Sequence, residues 1–270
     1  MHATVSPLDL TKNNTKIMVM KTFPVFALLL ITGLFIAGAP GIYAQGSVSL
    51  GAAAGFAVLG GSTVTNTGPT VLTGNLGVSP GTEITGFPPG TYSGTQHLGD
   101  AFAIQAKSDA TIAYNALEAM SFDQDLTGQD LGGLTLTPGV YFFDSTAALT
   151  GTLTLDGDGQ INPLFVFQIG SALTTAGLSA VVTNNGAEAS NVYWQVGSSA
   201  TLGTNSAFEG TLISLTSNTL TTGATVDGQV IALNGAVTLD SNIIAVPEPG
   251  SLLLAAFGIV AFLGRRAKQV

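Results

Sequence analysis

The chain has 270 residues, room for one large domain or two small ones, and its 46% apolar content supports a continuous core without metal or disulfide staples. Between Gly46 and Val246 fourteen Asp and Glu stand against one basic residue, Lys107, which excludes a phosphate backbone as partner. The absence of cysteine removes thiolate metal sites, cysteine nucleophiles and disulfides, while 9% charged residues and 35 glycines point to an all-β class.

In chain order, Lys21 precedes an apolar run from Phe23 to Ile36 and small and turn residues up to Ala44, the arrangement of a secretory signal peptide. Residues 1–44 are therefore read as an N-terminal extension and signal, cleaved after Ala44 or after Ala39, with Met18 and Met20 as alternative starts. A domain over 46–246 follows. From Phe56 to Val78, alternation such as Ser62-Thr63-Val64-Thr65-Asn66-Thr67 predicts strands joined by tight turns. Over about 98–120 the period changes: Leu98, Phe102, Ala106, Ala113, Leu117 and Met120 fall on one side of a helical wheel, interrupted by Gln105 and Asp109. Asp100 suits the start of this helix, and Asp123 and Asp125 mark the return to loop.

After Leu131 the chain is β again. Residues 200–210 align with 218–228 at a constant offset of eighteen, and Val237-Thr238-Leu239 repeats the opening once more. A Thr-Leu pair recurring once per unit is the signature of stacked solenoid coils with about three short strands each. Alternation then places Leu202 and Leu220 in the core and Thr201 and Thr219 on an outer face. With rungs about 4.8 Å apart and alternate residues about 6.7 Å apart, that face is a flat grid of hydroxyl and methyl groups.

At the C-terminus Val246-Pro247-Glu248-Pro249 precedes an apolar run from Leu252 to Leu263 and then Arg265 and Arg266. Residues 247–270 resemble the PEP-CTERM sorting signal of Gram-negative bacteria, which implies export, exosortase-type processing and a secreted or envelope-associated product. The run is shorter than the about 20 residues that span a bilayer, so membrane association is expected only transiently through the terminal segments. The basic tail would stay cytoplasmic, leaving the domain outside.

Six blocks in order resemble the microbial ice-binding family. They are residues 56–68, 74–80, Gly86-Phe87-Pro88-Pro89-Gly90, the helix containing Ala106-Lys107, Leu136-Thr137-Pro138-Gly139-Val140-Tyr141 and Val192-Tyr193-Trp194-Gln195-Val196-Gly197. The resemblance implies a discontinuous right-handed β-solenoid of triangular cross-section with a flanking α-helix: all-β with one long helix. It implies adsorption to an ice crystal through one flat face, opposite or adjacent to the helix, giving freezing-point depression and inhibition of ice recrystallisation. Thr63, Thr65, Thr201, Thr204, Thr219, Thr222, Thr225 and Thr238 are the candidate ice-binding residues. Thr222-Gly223-Ala224-Thr225 fits a family pattern of Thr-Ala/Gly-x-Thr/Asn, from which Thr204-Asn205-Ser206-Ala207 departs. Which threonine column faces ice and which lies under the helix stays open.

Other chemistry is weakly represented. A polysaccharide lyase needs a cationic clamp and a base, whereas the domain has Lys107 and one histidine, His97. Asp156-Gly157-Asp158-Gly159 lacks the closing Glu of a calcium loop, having Phe167 at that position, and reads as a turn. In Val-Tyr-Trp-Gln-Val at least one of Tyr193 and Trp194 belongs to the core rather than to a sugar-stacking platform. The expectation is a monomeric non-enzyme with no cofactor and no metal. The alternative is an adhesive matrix protein, with extracellular polysaccharide as partner.

Overall fold

The computed structural model describes residues 48–247; the expected signal and nearly all of the sorting segment lie outside the described residues. Within them, one α-helix, Ala101–Glu118, and two short 3-10 turns, Gly51–Gly55 and Ala189–Asn191, accompany parallel strands two to eight residues long. Each coil sends a strand to a helix face, then to a second face, then to a third, and turns a corner back to the helix face. The eighteen-residue offset is the observed register: Ala200 pairs with Asn218, Leu202 with Leu220 and Ala207 with Thr225. Leu202 and Leu220 are buried. The pair Gly210 and Gly228, both at positive φ, marks the corner between third and helix faces. A side chain at Gly228 would collide with the carbonyl oxygen of Gly210.

The stack is discontinuous in chain order. Along the second face the strands run Glu83–Thr85, Thr63–Thr67, Val237–Asp240, Asn218–Leu220, Ala200–Leu202, Leu173–Thr175 and Ala147–Leu149. The two N-terminal coils thus sit on the last C-terminal coil. The helix resolves the resulting problem of connection. It leaves the strand Gln96–Leu98 at one end of the helix face, and the chain re-enters at Gln124–Asp125 at the other. Eighteen residues cover about 27 Å, most of the ~38 Å spanned by nine rungs.

The helix starts later than expected, and its buried stripe is rotated. Asp100 is the N-cap, accepting from the Ala103 amide at 2.9 Å. Leu98 belongs to the preceding strand and is 47% exposed; Phe102, 43% exposed, leans on the rings of Phe56 and His97. The buried positions are Ala103, Ala106, Ala110, Ala113, Tyr114 and Leu117. Alanine dominates because the helix lies close to the sheet, where Leu59, Val166, Tyr193, Ile213 and Ile231 fill the space between them. His97 Nδ1 contacts Asp100 Oδ2 at 2.7 Å, so this histidine braces the cap.

Glutamines on the helix face clamp the backbone laid over it. Gln168 Nε2 donates to the carbonyls of Leu117 at 2.6 Å and Met120 at 2.8 Å, satisfying the helix C-terminus. Gln229 Nε2 donates to Ala53 and Phe56. Gln168→Leu is expected to cost about 1–3 kcal/mol, the penalty for leaving buried carbonyls without a donor. Urea unfolding checks it, and an unchanged midpoint would show that water replaces the amide.

Candidate functional site: a threonine face

The second face carries a column of outward residues in continuous register. Ala148 pairs with Thr174, Thr174 with Thr201, Thr201 with Thr219, Thr219 with Thr238, Thr238 with Thr65, and Thr65 with Thr85. Six threonines therefore follow one another over about 24 Å of the stack. Their β-branched side chains favour the strand and restrict χ1, so the strands that position the column also order it. Thr65 Oγ1 lies 3.5 Å from Thr238 Oγ1. Beneath them Leu173, Ala200, Val237 and Val64 are buried, which fixes which way each threonine points.

Small residues keep the face level. Ser199, Ser217 and Ala236 flank the column on one side, Ala176 and Gly203 on the other. The Ser199 and Ser217 hydroxyls accept from the amides of Ser217 and Ala236 in the next rung, both at 3.2 Å. The carboxylates on this face are Glu83 on the outermost N-terminal rung, Asp240, to which Thr222 and Ser241 donate, and Asp130, which bridges Ala148 at the far end. Those hydroxyls hold the Asp240 carboxyl below the usual carboxylate range.

The structure divides the eight candidate threonines. Thr65, Thr201, Thr219 and Thr238 share the column, and Thr63 lies beside it, paired with Glu83. Thr204 and Thr222 sit in the turns leaving the face, where Thr204 Oγ1 donates to Thr221 Oγ1 at 3.2 Å. Thr225 is round the corner, between Ala207 and Ile243 on the third face. Thr174, Thr85 and Ala148 complete the column and have no eighteen-residue spacing to betray them. Their rungs are 26, 27 and 20 residues long, from Ala148 to Thr174, Thr174 to Thr201 and Thr65 to Thr85.

The other two faces are built differently. The helix covers the first, where Val166, Tyr193, Ile213 and Ile231 alternate with the buried polar side chains of Gln168, Gln195, Thr211 and Gln229, so none of the candidate threonines lies under it. On the third, Ile243 is 55% and Val71 46% exposed, and the paired Glu209 and Asp227 border a groove of about 490 Å³ with Glu188, Ser190 and Pro247. Burial pushes both the Glu209 and the Asp227 carboxyl up, and Asp227 adds to the effect at Glu209. A carboxyl raised on folding favours the folded state only while protonated, and that advantage is lost as pH rises through the folded value. Glu209→Gln should therefore raise the melting temperature at pH 7, and the gain should vanish below the ordinary value of 4.5. Thermal scans at both pH values check this; an equal gain at both would assign the effect to packing.

Tyr193 and Trp194 are both buried, Tyr193 towards the helix and Trp194 against Phe167, so neither offers a sugar platform. Asp156 accepts from the Asp158 amide and from Asn185, forming the expected turn. Among the described residues no group of three or more His, Asp or Glu is placed to hold a metal ion.

A family model described as ice-binding-like matches residues 58–245. The chain belongs to the ice-binding-like family. An ice-binding protein of Nostoc sp. (strain HG1) is 55% identical over 228 residues, covering 79% of this chain and 84% of that protein. The crystal structure of an ice-binding protein from an Antarctic biological consortium superposes with TM-score 0.73 at 50% identity, covering 74% of this chain and 91% of that one. That of an ice-binding protein from the Antarctic ascomycete Antarctomyces psychrotrophicus gives TM-score 0.74 at 43% identity, covering 76% and 100%. The solenoid expected from the ice-binding-like resemblance is the fold found. A second model, the PEP-CTERM protein-sorting motif, matches residues 245–267, which marks the chain for export and envelope association in bacteria.

Proposed function

We propose that this protein adsorbs to ice through the threonine face, depressing the freezing point and inhibiting recrystallisation. The unbroken column from Thr174 to Thr85 carries the reading. Ice offers no charge and no ligand that fits a pocket, only a regular array of oxygens. A rigid face with a hydroxyl and a methyl at each node, spaced by the strand geometry, orders water to match. Because χ1 is restricted before contact, little rotamer entropy is lost on adsorption. Each contact is weak, but many act together, and the ice front must curve between bound molecules. The third face suits this role less, since Glu209 and Asp227 hold their own water and the groove breaks the plane.

The same reading gives the protein no catalytic role and no cofactor. It assigns residues 1–44 to the export signal, 46–246 to the ice-binding domain and 247–270 to an exosortase-processed segment in a Gram-negative cell, with a monomer as the working form. Polysaccharide as partner has less support, because the groove is lined without aromatic residues. Crystal shaping and freezing hysteresis of the purified chain across a wide concentration range test the proposal. A folded protein that leaves ice growth unchanged would overturn it.

A further inference from the structure

The chain leaves the solenoid at a defined place. The last strand, Ile243–Ala245, lies on the third face, and the next step in every coil is the corner towards the helix face. Val246 sits at that corner: its amide donates to the Thr73 carbonyl at 3.1 Å and its side chain packs on the core. Pro247 follows in the groove beside Glu209 and Asp227. In a triangular cross-section this corner is the vertex opposite the threonine face. With about five extended residues per edge, it lies ~15 Å behind that face. The described N-terminal end is also on this side, since Tyr193 Oη on the helix face donates to the Val48 carbonyl at 3.3 Å.

The sorting motif starts at residue 245, inside the last strand, and only five residues, Pro247 to Ser251, lie between Val246 and the apolar run that begins at Leu252. A tether this short keeps the exit corner nearest its point of attachment, where a long one would leave orientation free. From this we infer a further function, resting on the ice-binding reading: kept at the envelope through its C-terminal segment after processing, rather than held there only transiently, the protein is an ice adhesin. The envelope-attached solenoid turns its threonine face outward, and many copies on one cell anchor that cell to ice. Multivalency makes this more than dissolved protein achieves, because adsorption of one copy places its neighbours at high effective concentration; gains of 10²–10⁴ are typical, so retention of cells about 10²-fold above background is expected.

The test uses the full chain in a bacterium that exports and processes PEP-CTERM proteins. Washed cells are counted after retention on a slowly growing ice hemisphere, and freezing hysteresis is measured in the cell-free medium. Wild-type cells should be retained, cells lacking residues 248–270 should lose retention while their medium gains hysteresis, and Thr219→Tyr cells should carry the protein but not be retained. Because the chain has no cysteine, orientation is read separately. A membrane-impermeant maleimide on intact cells should label Thr219→Cys and spare Glu188→Cys beside the exit. Ice-active medium with unretained wild-type cells overturns the adhesin and leaves ice binding intact. Inactivity of both medium and cells overturns ice binding itself. Equal retention of Thr219→Tyr cells, or equal labelling of both cysteines, also overturns the proposed display.

Discussion

Thr219→Tyr is expected to reduce freezing hysteresis to below about a tenth of wild type, while the same change at Thr222 leaves most of it. Thr219 is at the centre of the column, with Thr201 and Thr238 on adjacent rungs. A phenol ring there stands above the small flanking side chains of Ser217 and Ala236 and holds the whole array off the ice. A central disruption of a surface that acts as a unit removes far more than one contact's share. Thr222 lies in the turn, bound to Asp240, and its ring would point off the edge of the face. Hysteresis of both variants at matched concentration, with circular dichroism to establish folding, decides the matter. If Thr222→Tyr were the damaging change and Thr219→Tyr harmless, the ice face would be the corner and the third face.

Trp194→Ala should be the most destabilising single change, by about 3–5 kcal/mol, the usual range for deleting a buried aromatic. Trp194 is fully buried and stacks on Phe167 with ring centroids 3.9 Å apart, in contact with Phe208 on the other side. Its Nε1 donates to the Glu209 carbonyl at 3.0 Å, so truncation leaves both a cavity and an unsatisfied carbonyl. At about 2–4 °C per kcal/mol for a domain of this size, the melting temperature should fall by roughly 6–20 °C. Calorimetry measures it. A fall of only a degree or two would mean that neighbouring rungs close the gap. Freezing hysteresis below the transition should stay near wild type, since Trp194 lies within the prism and touches no threonine of the face.

Periodicity reveals only what is periodic, and that limit explains which parts of the site could be read beforehand. The pairs Thr201 with Thr219 and Leu202 with Leu220 follow from an eighteen-residue offset that runs unbroken from residues 200–210 to 218–228. Thr238 comes nineteen residues after Thr219 and was still recognisable by its Val-Thr-Leu context. Thr174 was not, because the loop at 184–191 lengthens its rung to 27 residues and destroys the phase. The helix was legible as an element, but its buried side was not. Leu98 and Phe102 look like core by hydropathy, and only the close approach of helix to sheet makes Ala103, Ala110 and Tyr114 the contact positions.

By itself, then, the sequence determined a β-solenoid with one helix, the inward and outward alternation within each coil, a C-terminal sorting motif and a family. All of these are local patterns, set by side-chain period and short motifs. Which threonines share a face was decided by the tertiary structure alone. Thr222 and Thr225 are three residues apart yet fall on either side of a corner, whereas Thr65 and Thr238, 173 residues apart, lie on adjacent rungs. That adjacency exists because the N-terminal coils stack on the last C-terminal coil, a long-range closure driven by burial of Val64 against Val237 and Leu72 beside Ile244. No property of either segment alone encodes it.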